Sequence, residues 1–216
     1  MESEVRFLFD PNASQLTAHA FASGLAAVMA HNPKFAVRDF SGEAKFASDG
    51  LTQATIQVNM RASSLLLLDE VSEYDEREIR RMTMDEVLKV KSFPRILFES
   101  SQVTAVKVNE NLYRATIAGN LTLRGVSRRH SFDAQVVVGE DSLRGYGDFY
   151  VKQTDFGIPI ASIAGGTLKM KDEVKVAFFM IARKEERVED LPARGNGDPT
   201  CTSRAATAKG VADARS

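Results

Sequence analysis

The chain has 216 residues, and 28 lysines and arginines against 29 aspartates and glutamates leave a formal charge of −1. This balance argues against a nucleic-acid-binding protein, because proteins that bind polyanions carry clustered excess basic charge. One cysteine excludes an intrachain disulfide, three histidines argue against a metal site, and no apolar run approaches the roughly 20 residues of a membrane-spanning helix.

The amino terminus, Met-Glu-Ser-Glu, is acidic, and no apolar core with a small-residue cleavage pattern follows it. A secretory signal peptide has a basic start and such a core. We therefore expect a cytoplasmic protein, or a periplasmic one if the chain has been processed.

The first helical pattern lies in segment 16–29, which passes from alternation into an apolar run from Ala22 to Met29 before Asn32-Pro33. This run predicts a short apolar helix. His31 follows it and has two interpretations: a cap on the helix carboxyl end, or a residue that binds a head group or metal. His19 and His130 are expected to face solvent.

Two segments change their apolar face partway. Apolar residues stand on odd positions at 35 and 37 but on even positions from 40 to 46, and the segment 96–105 shows a similar shift. A one-residue slip would turn a strand's apolar face to water, so we expect bulges near Arg38-Asp39 and in residues 99–102.

The second helical pattern runs from about residue 73 to residue 90. Glu76 and Arg80 are spaced for an i,i+4 pair, and Thr83 with Glu86 fits a capping box that starts a new helical turn. Phe93-Pro94 is expected to end the segment before the next strand.

Strict alternation of apolar and polar residues is the dominant pattern of the chain. It is typical of strands with one buried face and occurs in residues 52–61, 112–123, 132–138, 143–151 and 174–180. Turn-like sequences between these segments predict successive antiparallel strands. Residues 187–216 are rich in small and polar residues and predict a disordered low-complexity tail after a folded domain of residues 1–186.

These elements predict an all-β protein, an antiparallel barrel of about eight or more strands with one or two short helices at its openings. Closure removes exposed sheet edges, and about eight strands leave an interior that side chains fill or one small ligand occupies. Gly42, Gly119, Gly145 and Gly147 fall on inward positions. They either leave space inside the barrel or mark corners where strands coil sharply.

Five segments in order along the chain resemble the YceI-like polyisoprenoid-binding proteins. They are Phe9-Asp10-Pro11 with Ser14, Phe40-Ser41-Gly42-Glu43, residues 93–100 (FPRILFES), residues 119–127 (GNLTLRGVS), and Asp155-Phe156-Gly157-Ile158 followed by Asp172-Glu173-Val174. The resemblance implies a lipocalin-like extended barrel whose lumen holds a long isoprenoid chain. Gln153 stands where the family often has arginine, so a head-group contact by that arginine is absent.

We expect a non-catalytic protein, without a cofactor, that carries or sequesters a long apolar lipid such as a polyprenyl chain or quinone tail. Leu25 and Met29 would guard one mouth, and Arg124 or Arg128 would lie near a polar head. The residues expected to line the lumen are Phe40, Phe46, Ile56, Val58, Phe98, Ile117, Phe132, Phe149, Phe156 and Phe178.

Two other functions fit the sequence. One is an enzyme acting on a lipid or quinone, with His31 and Asp155 as acid–base groups. The other is a ligand-free module with a packed lumen that dimerises through a sheet face, since Ala177, Phe179 and Ile181 make the last strand apolar on its outward side as well. The helix near residues 75–91 offers another cover for those outward residues.

Overall fold

The fold is described by a computed structural model of residues 4–23, 32–47, 50–51, 53–160, 162–163 and 168–185. Strands dominate it, as the alternation predicts. The strands are β1 (Glu4–Phe9), β2 (Gln15–Ser23), β3 (Lys34–Val37), β4 (Phe40–Ala47), β5 (Thr55–Arg61), β6 (Leu65–Leu67), β7 (Arg95–Lys107), β8 (Leu112–Leu123), β9 (Val126–Val138), β10 (Ser142–Lys152), β11 (Ser162–Ile163) and β12 (Leu168–Lys184). One α-helix, α1 (Glu73–Arg81), lies between β6 and β7 in this part of the chain.

Eight strands close into an antiparallel barrel in the order β1-β4-β5-β7-β8-β9-β10-β12. Closure comes from β12, whose residues Ala182–Lys184 pair with Phe7–Phe9 of β1. The predicted all-β antiparallel barrel is therefore confirmed.

One side of the barrel is extended by a second ladder. The earlier part of β12 pairs with β2, β2 pairs with β3, and β3 pairs with β6. As a result, β1 with β2, β3 with β4, and β5 with β6 form three strands that are each interrupted once. The interruptions are the turn at 10–14, Arg38-Asp39, and a single 3-10 turn, Ala62–Ser64.

The two predicted bulges have different outcomes. The register between β7 and β8 shifts between Ser100 and Gln102, so the second bulge is confirmed. The first is wrong, because Arg38 and Asp39 separate two strands with different partners. The Arg38 amide bonds Ser64, and the Arg61 amide bonds Asp39, so the neighbouring strand breaks at the same level.

The predicted second helix is confirmed, but the points at which its helical turns begin and end differ from the prediction. Ser72 caps α1 by accepting a hydrogen bond from the Asp75 amide. The chain continues as a π-helical turn, Met82–Val87, so the predicted new start at Thr83 is wrong. The arginine that binds acidic neighbours is Arg81, which contacts Glu78 and Glu86.

This helical segment packs on side chains of the second ladder. Leu88 is buried, and it packs with Phe35 and Leu65, together with the partly buried Ile79 and Leu123. The segment does not cover the outward face of β12 as expected, where Phe179 remains 40% exposed.

Several predictions fall outside the described residues. The first predicted helix is wrong at Ala22 and Ser23, which end β2. The rest of it, with Leu25 and Met29, lies together with His31 in residues that the structure does not describe. The same holds for residues 187–216. No helix of the described ranges is long and apolar enough to cross a membrane.

Candidate functional site: an apolar cavity inside the barrel

The interior of the barrel contains a cavity of about 610 Å³. Such a volume lies within the range of small-molecule sites, which are mostly apolar with a few placed polar groups. Inward side chains of the strands supply most of the lining, and the helical segment supplies the rest.

Eight of the predicted lumen residues line this cavity. They alternate along their strands, so one face of each strand points inward. They are Phe46, Ile56, Val58, Phe98, Ile117, Phe132, Phe149 and Phe178.

Phe40 and Phe156 are buried but do not border the empty space. Phe40 packs with Leu16, Met60 and Met180 in a separate cluster. Phe156 lies on a 3-10 turn, Gln153–Phe156, after β10 and belongs to the main core cluster. Both phenylalanines therefore contribute to packing of the wall, in contrast to their expected position in the lining.

An aromatic cluster forms one part of the cavity wall. The ring of Phe132 stacks on Phe149 with a centroid distance of 4.5 Å and lies 5.6 Å from Phe178 and 5.4 Å from Phe98. Offset and edge-to-face pairs of this kind add stabilisation beyond simple burial. They hold one side of the cavity in a fixed shape.

His130 extends this cluster and does not face solvent freely as expected. Its ring lies 5.0 Å from Phe149, and the side chain is half-buried. Burial lowers the pKa of His130 below its ordinary value, and the negative charge of Asp155 opposes that shift.

The inward glycines divide into two groups. A Cβ atom would lie 2.3 Å from the Glu99 carbonyl oxygen at Gly119, 2.2 Å from the Gln57 carbonyl oxygen at Gly42, and 2.6 Å from the Asp133 carbonyl oxygen at Gly147. These three positions are close approaches between strands. At Gly145 a Cβ atom would meet nothing within 4 Å, and this glycine borders the cavity.

Alanines account for much of the remaining space. Ala44, Ala115 and Ala134 are buried on inward positions of three strands and border the cavity. A lining of small side chains leaves volume that leucine or phenylalanine would fill. Gly145 and these alanines therefore keep the interior open.

The helical segment contributes lining residues that the sequence analysis missed. Asp75, Glu78, Ile79, Met82 and Thr83 all border the cavity. Their spacing of three and four residues places them on one face of a helix. This stripe was readable in the sequence, but nothing there indicated that it faces a cavity.

The predicted head-group arginines do not border the cavity. Arg124 and Gly125 form the turn between β8 and β9, and both have positive φ, 51° and 72°. The Arg124 guanidinium donates to the Gly157 carbonyl at 3.2 Å, in a shallow surface depression that also contains Lys89. Arg128 is exposed and bonds the Ser127 carbonyl.

The first motif of the family resemblance forms a structural turn. Asp10 accepts hydrogen bonds from the amides of Asn12 and Ala13. Ser14 donates to the Asp10 carbonyl at 2.6 Å and accepts from the Ile181 amide at 2.9 Å. Although partial burial acts to raise it, the pKa of Asp10 is lowered by the two amides and by Arg183.

The last motif fixes the 3-10 turn against β12. Asp172 accepts from the Thr154 hydroxyl at 2.7 Å and from its amide at 2.9 Å, and these bonds lower the pKa of Asp172. Gln153 borders the cavity and donates to the Lys171 carbonyl at 2.9 Å. Asp155 is exposed.

Metal-binding geometry is absent from the described part of the chain, where no three histidine, cysteine, aspartate or glutamate side chains converge. The site is built mainly from hydrocarbon surface, and its charged residues, Asp75 and Glu78, lie on one helix.

Comparison with known proteins places this geometry in a family. Solved structures similar to the chain include Burkholderia cenocepacia BcnA, with 19% identity, a TM-score of 0.61, and coverage of 80% of this chain and 98% of that one. A polyisoprenoid-binding domain from Saccharophagus degradans has 12% identity, a TM-score of 0.56, and coverage of 86% and 100%.

A YceI protein from Campylobacter jejuni has 18% identity and a TM-score of 0.55, with coverage of 73% of this chain and 88% of its own. These similarities show a shared fold. No curated protein matches the sequence. The family model for the YceI-like domain matches residues 7–182, and the chain therefore belongs to the YceI-like family.

Proposed function

We propose that this protein is a non-catalytic carrier that holds a long isoprenoid-type lipid, such as a polyprenyl chain or quinone tail, inside the barrel. The observation that carries the proposal is the cavity of about 610 Å³ with its largely apolar lining. The polyisoprenoid-binding domain among the structural neighbours supports the same ligand class.

Hydrocarbon burial supplies the binding energy in this proposal. Apolar surface contributes about 25 cal/mol per Å², so enclosing roughly 400 Å² of chain is worth on the order of 10 kcal/mol before costs. Ordering of the lipid reduces this to micromolar or nanomolar affinity. Selection then depends on chain length and flexibility more than on hydrogen bonding.

The two alternatives receive less support. A ligand-free module requires a packed lumen, and the cavity argues against it. Of the proposed acid–base pair, Asp155 lies on the exposed surface of the 3-10 turn, and His31 lies outside the described residues. The family and the polyisoprenoid-binding neighbour support binding over catalysis.

A homodimer is a further part of the proposal. Tyr146 of β10 and Phe179 of β12 lie opposite each other in register, and both are exposed apolar side chains on the outer face of the sheet. A stable interface buries at least about 1,000 Å². We expect light scattering to give twice the monomer mass, and Phe179→Glu to return the monomer; a monomeric parent protein contradicts this part.

Extraction of the protein purified from its own host tests the carrier function. We expect organic solvent to release a stoichiometric long-chain lipid that mass spectrometry identifies. Gly145→Leu is the matched variant, because a Cβ atom at this position meets nothing within 4 Å and the glycine borders the cavity. It should fold normally and release much less lipid.

A parent protein that releases no lipid and takes up no apolar fluorescent dye contradicts the proposal. Equal lipid content in the parent and in Gly145→Leu also contradicts it, because binding would then lie outside the cavity.

A further inference from the structure

The polar part of the cavity lining is unevenly distributed. In the described part of the chain, the charged residues that border the cavity are Asp75 and Glu78, both on α1, and their carboxylates also contact the exposed side chains of Ser72 and Arg81. Within the described residues, no lysine, arginine or histidine is part of this lining. If the polar end of a bound hydrocarbon chain lies under the helix, the charged groups nearest to it are therefore carboxylates.

The helical segment as a whole is negatively charged. Residues 73–87 contain six acidic and three basic side chains, whereas the complete chain has a formal charge of only −1. A cleft bordered by one sign of charge raises the local concentration of oppositely charged groups and repels like charges.

The two carboxylates differ in their partners. Glu78 accepts two hydrogen bonds from Arg81, at 2.6 and 3.1 Å, and this arginine holds the pKa of Glu78 below its ordinary value. Arg81 also binds Glu86 at 2.8 Å, so the three side chains together remain negative.

Asp75 is paired differently. It accepts a hydrogen bond from the Ser72 hydroxyl at 2.7 Å, and in the described part of the chain it has no ion pair with a lysine or arginine. Of the two charged residues that border the cavity, it is the one without a basic side-chain partner in the described residues. We therefore expect Asp75 to have the strongest electrostatic effect on the head group of a bound ligand.

The basic side chains of this end of the barrel lie elsewhere. Arg124 and Lys89 line the separate surface depression, and Arg124 is engaged with the Gly157 carbonyl. Phosphate recognition in proteins relies on arginine or lysine and on backbone amides directed at the anion. The cavity lining described above has carboxylates in their place.

We propose that the cavity selects lipids whose head group donates hydrogen bonds, with an amine as the strongest case, and discriminates against phosphorylated lipids. Asp75 is the main specificity-determining residue, and Glu78 supports it. This inference rests on the proposed carrier function, since it concerns the head group of the lipid held in the barrel. It differs from the expectation that Arg124 or Arg128 receives the head group.

The test uses three probes with one hydrocarbon chain: geranylgeranylamine, geranylgeraniol and geranylgeranyl phosphate. Their affinities are measured by displacement of a fluorescent apolar dye at low salt. We expect the amine to bind at least about tenfold more tightly than the phosphate, with the alcohol between them, and this ratio to fall as salt is added.

The variants assign the preference to a residue. Asp75→Asn removes the charge that has no basic partner and should reduce the amine-to-phosphate ratio about tenfold while leaving the affinity for the alcohol unchanged. Asp85→Asn is the control, because it removes one charge from an exposed position of the same segment that does not border the cavity. It should change the ratio by less than about twofold.

The outcomes separate the two proposals. Phosphate binding equal to or tighter than amine binding overturns the head-group inference and leaves the carrier function standing, as does a ratio that Asp75→Asn does not change. Failure of all three probes to bind overturns the carrier function, and the head-group inference with it.

Discussion

Five long strands build one side of the barrel, and three interrupted strands build the other. The continuous side consists of β7, β8, β9, β10 and β12, which have 11 to 17 residues each. The interrupted side consists of the pairs β1 with β2, β3 with β4, and β5 with β6. The two sides enclose the same cavity, but different interactions hold their strands in place.

Backbone pairing supports the continuous side, and side chains support the interrupted side. Twelve consecutive residues of β8 pair with β9 without a register shift. On the interrupted side, Ser14 joins the first break to β12, and Ser64 donates to the carbonyls of Asp39 and Arg61 at the others. Interruptions thus require polar side chains that replace lost ladder bonds.

This difference has a functional consequence. A barrel of uninterrupted strands closes on itself, whereas the second ladder ends at the short strand β6 and leaves an edge. The helical segment packs against Leu65 of that strand, and its inward stripe brings Asp75 and Glu78 to the cavity lining. The charged residues of the lining therefore come from the helical segment beside the interrupted side, whereas the continuous side contributes the uncharged Gln153 after β10.

The largest effect is expected from Gly119→Ala on the continuous side. The added methyl group would lie 2.3 Å from the Glu99 carbonyl oxygen and 2.8 Å from the Ser100 Cα, and backbone paired on both edges cannot move away. We expect a loss of about 3 kcal/mol in the free energy of unfolding, measured by urea denaturation. Gly145→Ala is the control and should change stability by less than about 1 kcal/mol; equal losses would contradict the division of the glycines.

Leu88→Ala tests the packing of the helical segment on the second ladder. Leu88 is 8% exposed and packs on Phe35 and Leu65, so its truncation should cost about 2 kcal/mol and speed the release of a bound apolar dye. Leu68→Ala is the matched control, because Leu68 is 42% exposed. An unchanged release rate in Leu88→Ala would show that the helix is not the cover of the cavity.

Ser14→Ala should weaken the first break of the interrupted side. It removes the hydroxyl that joins the Asp10 carbonyl to the Ile181 amide, and we expect a loss of about 1 kcal/mol. Ser101→Ala is the counterpart in the bulge of the continuous side, where the hydroxyl lies 3.3 Å from the Ala118 carbonyl. Both variants are compared by thermal denaturation. A larger loss of stability in Ser101→Ala than in Ser14→Ala would contradict the proposed difference between the two sides.

The smallest effect concerns pH and distinguishes the two sides by their titrating groups. Burial lowers the pKa of His130 on the continuous side from its ordinary value of 6.5, so the unfolded chain binds its proton first. Stability should therefore fall as pH decreases through about 6.5 and level off below the folded-state pKa. His130→Gln should remove this slope in stability measured between about pH 7 and 5.

Carboxylates of the interrupted side affect the free energy of unfolding at lower pH. Hydrogen bonds from Lys45 and Arg6 lower the pKa of Glu43, so its contribution is present above the ordinary value of 4.5 and is lost only as pH falls through the lowered pKa. Glu43→Gln should leave the slope between about pH 7 and 5 intact. A change there would contradict the assignment to His130.

Much of the strand pattern was readable in the sequence. The segment 112–123 is strand β8 with the same bounds, because period-two alternation marks a strand with one buried face wherever it lies in the fold. The face change at residues 99–102 predicted the β7 bulge for the same reason. The change at Arg38-Asp39 gave an identical signal, but it separates strands with different partners, a distinction that depends on distant segments.

The candidate site was readable only in part. Phe40 and Phe46 share one face of β4, and only Phe46 borders the cavity. Alternation assigns both side chains to the inside of the barrel, but it does not indicate at which level of the barrel the packed core ends and the cavity begins. Asp75 and Glu78 lie on a helix whose position over the cavity depends on the open edge of β6, a strand too short to be recognised by its period.

The amino-acid sequence by itself determined the succession of antiparallel strands from β7 to β10, the barrel class and the helix before β7, because periodicity, turn residues and capping act within a few residues of each other. The tertiary structure alone decided which glycines are close approaches, which inward side chains border empty space, and which charges meet the ligand's end of the cavity. These properties are distances between residues far apart in the chain, as between Gly119 and Glu99 or Asp75 and the barrel wall. Local physical preferences do not specify such distances.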